Sequence, residues 1–231
     1  MSGQFASERW INFFTSYGNE MLQAFLRTLS ISIIALVLAL VLSIVFGVMS
    51  MSKNGLARAI SRVYVEFFQN MPLLILVFVC YNLFPLINIT LEPFAIGCII
   101  IGLYHGAYIA EVVRSGIMSI NKGQFEAAYS QGFTYLETMR YIILPQMLTI
   151  VLPPTAVQAA NLVKNTSVLA MIAGHEIMYA ANSYGYSTLN YGPPLVTAGI
   201  LYFIICFPIS TWAKKLERKR DIALEGRGGE R

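Results

Sequence analysis

The sequence predicts an all-α protein, a multi-pass membrane helical bundle of five transmembrane helices with its N-terminus outside and its C-terminus cytoplasmic. Three observations predict it. Of the 231 residues, 56% are hydrophobic and only 12% charged, with a mean hydropathy of +0.62; a soluble domain carries about 25% charged residues. Charge is absent from residues 28–52, 67–91, 93–110, 141–163 and 177–213, and about 20 apolar residues make one helical crossing. These runs are continuously apolar rather than alternating, which favours helices over a barrel. Finally, Lys and Arg are unevenly placed. Thirteen of the sixteen fall in 52–66, 111–146 and the C-terminal tail, whereas 82–92 and 172–193 carry none. The positive-inside rule then sets the orientation. The composition excludes disorder, and the length leaves no room for a separate soluble catalytic domain of about 100 residues.

The elements follow in order. Residues 1–22 include Trp10, Phe13, Phe14 and Tyr17. They are too short to span and read as an outer interfacial segment, broken from the first span at Gly18 and Asn19. The first apolar run begins near Thr28 and lasts 25 residues to Lys53, too long and too late for a cleaved signal, so it is expected to stay as an anchor. The spans are placed at about 28–52, 67–88, 93–113, 147–171 and 195–213. Pro72 interrupts the second and Pro153-Pro154 the fourth; in a membrane such freed backbone is tolerated where it faces protein or a wet path. Asn182–Pro194 is polar and rich in Gly and Pro, and reads as a loop. Residues 116–146 form a cytoplasmic loop and 214–231 a basic cytoplasmic tail.

The 116–146 loop keeps apolar residues at helical spacing. Its pattern predicts a helix from Lys122 to Gln131, a turn at Gly132, and a second helix from Thr134 to Ile143 that Pro145 ends. Gly132 suits a left-handed helix end, and Thr134 with Glu137 has capping-box spacing. Such a hairpin either packs on its own bundle or offers a docking element to a cytoplasmic partner.

Glu126-Ala127-Ala128, three residues, Gly132, nine residues, Ile142, one residue and Leu144-Pro145 resembles the EAA motif of ABC-importer permeases. The flanks resemble the polar amino-acid branch: Ala107-Tyr108-Ile109-Ala110-Glu111, Arg114-Ser115-Gly116-Ile117, Gly123-Gln124-Phe125, Ile143-Leu144-Pro145-Gln146, Leu152-Pro153-Pro154 and Lys164-Asn165-Thr166-Ser167. The likeness covers roughly residues 20–216. It implies a bacterial cytoplasmic (inner) membrane permease that pairs with a second copy or a paralogue. A dimer of ATP-binding cassette subunits, which hold the ATP and Mg, docks on Glu126, Ala127, Ala128, Gly132, Leu144 and Pro145. An extracytoplasmic binding protein delivers an amino acid. Two positions depart from the pattern. Gln69-Asn70-Met71-Pro72-Leu73-Leu74 stands where Arg-Gly-Thr-Pro-Leu-Leu is common, so a cation is missing, and His105 stands where a small polar residue is usual.

A charge at the centre of a membrane helix costs about 2.5–3.5 kcal/mol on insertion scales, so Glu111, Lys164 and His105 should face the bundle or a wet path. Glu111 is expected to pair with Arg114 at i+3. Gln158, Asn161 and Asn165 share a helical face, with Lys164 beside them. With His105, Tyr104 and Tyr108 they form the expected substrate pathway; interhelical hydrogen bonding is the plainer role of the same polar groups. Gly102, Gly106 and Ala110, at steps of four, form a ridge that lets another helix approach closely.

The chain's own chemistry is thin. No catalytic residue, cofactor or metal site is expected in this chain. His175-Glu176 lacks the second His of a zinc motif, and no phosphate-binding Gly-Lys-Ser/Thr loop occurs. Cys80, Cys98 and Cys206 sit apart in apolar runs as small fillers. The basic tail has no aromatic platform for nucleic acid; membrane lipid surrounds the bundle instead. The expected function is a permease subunit of an ATP-driven amino-acid importer, with glutamine, glutamate or aspartate as cargo. The rival readings are an ATP-independent secondary transporter or channel, and an intramembrane enzyme. The first usually shows paired repeats and midplane acids, and neither is visible in this sequence.

Overall fold

The computed structural model describes residue 3 and residues 6–228, with side chains as far as Asp221. Residues 1, 2, 4 and 5 of the N-terminal segment, the Arg227 side chain and Arg231 lie outside the described residues. The described residues form helices joined by short connections, with no strand among them. Four helices are long and apolar enough to cross a membrane, and a fifth span is made if one bent pair counts as a crossing.

Helix α1 runs unbroken over Ser7–Ser50, about 66 Å at 1.5 Å per residue. The expected break at Gly18 and Asn19 is absent. A mid-helix glycine costs about 1 kcal/mol, and tertiary packing outweighs it here. Phe13, Met21 and Ala24 are buried against Ile177, Ala180, Ala181 and Tyr184, and Phe13 meets the Tyr184 ring edge-on at 4.9 Å.

Helices α2 (Gly55–Asn70) and α3 (Leu73–Asn82) meet at a 98° bend. Pro72 causes it: Met71 before it is extended, at φ −101° and ψ 133°, as a residue preceding proline prefers. In place of the single span expected at 67–88 stands a bent helix pair that starts twelve residues earlier and ends at Asn82. Its charges misled the sequence reading because they share one face. Arg58, Arg62, Glu66 and Gln69 form that polar stripe. Leu56, Ile60, Val63 and Phe67 form an exposed apolar one, and Ser61, Tyr64 and Phe68 pack inward.

Helix α4 covers Pro93–Met118, with one π turn at Gly97–Ile101, and so continues five residues past the expected end. It runs parallel to α1 in close contact. A Cβ on Gly97 would meet Ile31; on Gly102, the Leu38 side chain at 2.8 Å and the Ala35 carbonyl at 3.1 Å; on Gly106, Leu42 and Ala39. Gly47 of α1 reciprocates against Ala110 and Val113. The expected small-residue ridge is thus the α1–α4 seam. Tyr64 of α2 locks onto it: its ring stacks on Phe46 at 4.0 Å and its hydroxyl donates to the Leu103 carbonyl at 2.8 Å.

Helix α5 spans Lys122–Ser130 and is capped by Asn121, whose side chain accepts from the Gly123 N–H at 2.9 Å. It ends as a Schellman motif. Gly132 sits at φ +84°, its N–H donates to the Tyr129 carbonyl at 3.0 Å, and the Phe133 N–H donates to the Ala128 carbonyl at 3.1 Å. The next helix opens with the expected capping box. Glu137 accepts from the Thr134 N–H at 2.8 Å, and the Thr134 hydroxyl accepts from the Glu137 N–H at 3.3 Å.

That helix, α6, does not stop at Pro145. It runs over Tyr135–Ile172, joining the expected short helix 134–143 to the expected span 147–171. A π turn at Thr138–Ile143 shifts the donors by one residue, and Pro145 falls in the first turn of the following α segment, where a missing N–H is tolerated. Pro153 and Pro154 lie within it, and its last turns, Thr166–Ile172, are 3-10.

Helix α7 (Ile177–Thr188) occupies much of the expected 182–194 loop. Glu176 caps it, and Tyr184 packs against α1, which together override the polar composition. Leu189 in the left-handed region ends it. Helix α8 (Gly192–Gly228) begins before and continues well past the expected 195–213. It is antiparallel to α6, with the Cys206 thiol against the Ala160 carbonyl and Tyr202 beside Thr166. The C-terminal ends of α1, α4 and α8 therefore lie at the same end of the bundle as the α5–α6 hairpin.

Two predictions follow from this packing. Gly102→Val should clash with the Ala35 backbone and destabilise the fold by about 1–3 kcal/mol, seen as a lowered unfolding temperature of the purified protein; Gly55→Val, at a site open to solvent, should change it far less. The second concerns pH. Hydrogen bonds from the Thr134 backbone and hydroxyl hold the Glu137 carboxyl below its ordinary value. A depressed carboxyl stabilises above its unfolded pKa of about 4.3 and loses that contribution as pH falls through the lower folded value. Exchange-rate ratios between wild type and Glu137→Gln at residues 134–137 should therefore be constant above the ordinary carboxyl value of about 4.3 and converge only as pH falls below it through the lower folded value; a ratio independent of pH would refute the role given to this carboxylate.

Candidate functional site

Two groups of residues stand out, one at the hairpin and one inside the bundle. In the hairpin, Ala128 is buried, whereas Glu126, Ala127, Gly132, Leu144 and Pro145 are exposed. Large side chains beside them are also bare to solvent: Tyr129, Tyr135, Leu136 and Tyr141. Gln146 ties the two helices together, its amide donating to the Ile142 carbonyl at 2.8 Å and reaching Gln124 at 3.4 Å. The hairpin is thus locked internally by a glycine turn, a capping box and an amide, while its outer face is left uncovered.

Inside, His105 of α4 is 2% exposed. Its Nδ1 lies 3.3 Å from Gln158 Oε1, and its Nε2 lies 3.0 Å from Asn165 Nδ2. With the amides so oriented, Asn165 donates to Nε2 and Nδ1–H donates to Gln158, which describes a neutral imidazole. Gln158 and Asn165 are seven residues apart and share a face of α6. Tyr104 and Tyr108 lie one helical turn apart with hydroxyls 3.2 Å from each other, and the Tyr108 hydroxyl approaches the Gln69 carbonyl at 3.4 Å. They carry the polar layer to the α2–α3 bend. The expected stripe is thereby divided. His105, Gln158 and Asn165 form one hydrogen-bonded set, and Tyr104 and Tyr108 another beside it. Asn161 is half-buried, and Lys164, exposed, lies about 120° around α6 from Gln158.

Polar clefts lie on either side of this layer. One, of about 400 Å³, is lined by Arg58, Arg62, Glu66, Gln69, Glu111 and Arg114 at the hairpin end. The expected Glu111–Arg114 pair is formed there, with Arg114 Nε donating to Glu111 Oε2 at 2.9 Å. The other, of about 420 Å³, is lined by Tyr17, Glu20, Gln23, Arg27, His175 and Tyr179. Arg27 packs over the Phe94 ring at 5.3 Å, and its Nε, buried, has no hydrogen-bond partner among the described residues. Arg27 and Ser50 are about 35 Å apart along α1, and the His105 layer, level with Ala39 by the Gly106 contact, falls between them.

The sequence reading missed a third group. Glu176, fully buried, accepts from the Met178 N–H at 2.8 Å, the Tyr179 N–H at 2.7 Å and the Tyr202 hydroxyl. The Ile177 N–H donates to Thr28 Oγ1 of α1 at 3.2 Å. This carboxylate joins α7 to α8 across a strained approach, with Ala173 at φ 55° and His175 at φ 52°. A weak signal was available: an acid directly before a long charge-free run suits the positive end of a helix dipole, although glutamate is not among the preferred N-cap residues. Among the described residues no group of three His, Cys, Asp or Glu could hold a metal ion. Cys80, Cys98 and Cys206 are free thiols.

Comparison with known proteins places this geometry. Residues 39–222 match the family described as "Binding-protein-dependent transport system inner membrane component". The probable glutamine ABC transporter permease protein GlnM of Bacillus subtilis is 39% identical over 200 residues, 87% of this chain and 93% of that protein. The L-cystine transport system permease protein TcyB of the same organism is 33% identical over 195 residues, covering 84% and 83%. Among solved structures, an amino acid ABC transporter crystallised with histidines superposes with a TM-score of 0.82 at 24% identity, covering 89% of this chain and 96% of that one. The MetNI methionine ABC transporter, in an inward-facing conformation, gives 0.71 at 18% identity over 87% and 95%; these two likenesses speak to the fold. On the sequence matches, this chain belongs to the inner-membrane components of binding-protein-dependent transport systems.

Proposed function

We propose that this chain is the translocating permease subunit of an ATP-driven importer whose cargo is a polar amino acid, glutamine first. The observation that carries the reading is the hairpin. It is rigid within itself, uncovered outside, and continuous with α6, the same helix that supplies Gln158 and Asn165 to His105. Several relatives are named as glutamine permeases, which supports glutamine over an acidic cargo.

On this reading the hairpin end is cytoplasmic and the N-terminus lies outside. A dimer of ATP-binding subunits, which hold the ATP and Mg, grips Glu126, Ala127, Ala128, Gly132, Leu144 and Pro145. A second copy or a paralogue completes the path, and an extracytoplasmic binding protein delivers the cargo. The polar cleft at Arg27, the layer of Tyr104, His105 and Tyr108 with Gln158, Asn161 and Asn165, and the cleft at Arg58 give polar groups at three depths. Lys164 is assigned to the same path, although it is exposed on another face of α6. ATP drives transport only if the nucleotide states of the partner bind the two permease conformations with different affinity.

The test is uptake of labelled glutamine by cells with and without this gene. Loss of the gene should remove saturable uptake. Gly132→Val forces a β-branched residue into the left-handed region, a strain of about 1–2 kcal/mol. It should abolish both uptake and co-purification of the ATP-binding subunits while the binding protein still binds glutamine. Unaltered uptake in Gly132→Val would overturn the docking role, and uptake unchanged by deletion would overturn the substrate.

A further inference from the structure

Helix α8 does not end where its apolar run ends. The charge-free stretch closes at Ala213, and the same helix continues as Lys214, Lys215, Leu216, Glu217, Arg218, Lys219, Arg220 and Asp221. Trp212 stands at the junction, 53% exposed. Residues 195–213 span about 28 Å, close to the hydrocarbon thickness of a bilayer, and the next seven residues rise about 10 Å, through one headgroup layer. An indole at that depth is the usual interfacial anchor.

The cations beyond it are not spent on neighbours. Among the described residues Arg220 alone is taken, by Glu217 at 3.6 Å and Asp221 at 2.8 Å. Among the described residues Lys214, Lys215, Arg218 and Lys219 have no ion pair. Trp212, Lys215, Leu216 and Lys219 recur at i, i+3, i+4 and i+7, on one face of α8. With Arg218 they line a shallow cavity of about 260 Å³. An aromatic floor at the hydrocarbon boundary, with three cations one to two turns above it, matches an anionic phospholipid: acyl chains against Trp212 and Leu216, headgroup phosphate among Lys215, Arg218 and Lys219. Charge complementarity and depth together select that occupant over a free anion, which has no use for the indole.

We propose that this face of α8 is a binding site for an anionic phospholipid, in the leaflet at the hairpin end. The proposal needs only that α8 cross the bilayer and is independent of what the permease carries.

The chain has two tryptophans, so Trp10→Phe leaves Trp212 as its sole indole, and the quenching that Trp10→Phe with Trp212→Phe loses is the signal of Trp212 against any indole of the partner subunits. The purified assembly in that background is reconstituted in phosphatidylcholine vesicles. These contain equal mole fractions of either phosphatidylglycerol or phosphatidylcholine brominated on the acyl chain near the headgroup. Brominated phosphatidylglycerol should quench Trp212 with an apparent affinity about fivefold greater, the enrichment one surface cation can give. Lys215→Gln with Lys219→Gln should lower the ratio clearly toward one, Arg218 being the cation that remains, whereas Lys214→Gln, on another face, should leave it raised. Equal quenching by the two lipids overturns the proposal. So does quenching by neither, which would mean that protein covers the indole, and so does loss of the preference on adding inorganic phosphate. If Trp10→Phe does not assemble, native mass spectrometry of the otherwise unaltered assembly replaces it. Retained phosphatidylglycerol that falls in the Lys215→Gln, Lys219→Gln variant supports the site, and equal retention sinks it.

Discussion

The close approach of α1 and α4 is the constraint on which the rest of the architecture depends. In lipid, hydrophobic burial does not drive helices together, and van der Waals packing between small residues has to serve. Gly97, Gly102 and Gly106 meet Ile31, Ala35 and Ala39, and Gly47 meets Ala110 and Val113. Contacts at four depths fix the register and the rotation of α4 together. With one face of α4 turned to α1, His105 points across to α6, and Tyr104 and Tyr108 point to the bend after α2. Tyr64 then fastens α2 to the Leu103 carbonyl beside the seam, and Gly116 receives Val151 of α6. The polar layer is therefore a by-product of the apolar one, since its side chains are aimed by residues that have none.

Much of this was legible in the sequence. Gaps between charges located the long helices, and glycines at steps of four located the seam. Thr134, Glu137 and Gly132 carry their chemistry within a few residues, so the hairpin's caps could be read before its surroundings were known. The failures have a common cause. Gly18, Pro145 and the polar stretch after Asn182 are local breakers, and each is overruled by something distant or by a register shift: the α7 contact with Phe13, a π turn, the Glu176 cap. A charge count likewise cut α2 at Glu66, because it weighs residues along the chain and ignores that four polar groups can share one stripe. Lys164 was grouped with Gln158 by proximity in sequence, although six residues of helix carry it to another side.

The prolines make the same point from one residue type. Pro72 turns the chain by 98° because Met71 is extended before it. Pro145, Pro153 and Pro154 lie in a helix that stays continuous. The missing N–H is the same in all four, and what differs is whether the preceding turn has room to reassign its carbonyls.

The unbroken run of α6 from Tyr135 to Ile172 has a geometric consequence. About 57 Å of continuous helix behaves as a lever whose short handle is the hairpin. A tilt of about 5° at one tip sweeps the other through roughly 5 Å, the scale of one helical turn. Gln158 and Asn165, about 35 and 45 Å along the rod from Tyr135, move through roughly 3–4 Å, comparable to the 3.3 and 3.0 Å hydrogen bonds that the two amides make to His105, so small rotations at the handle are magnified where the polar groups lie.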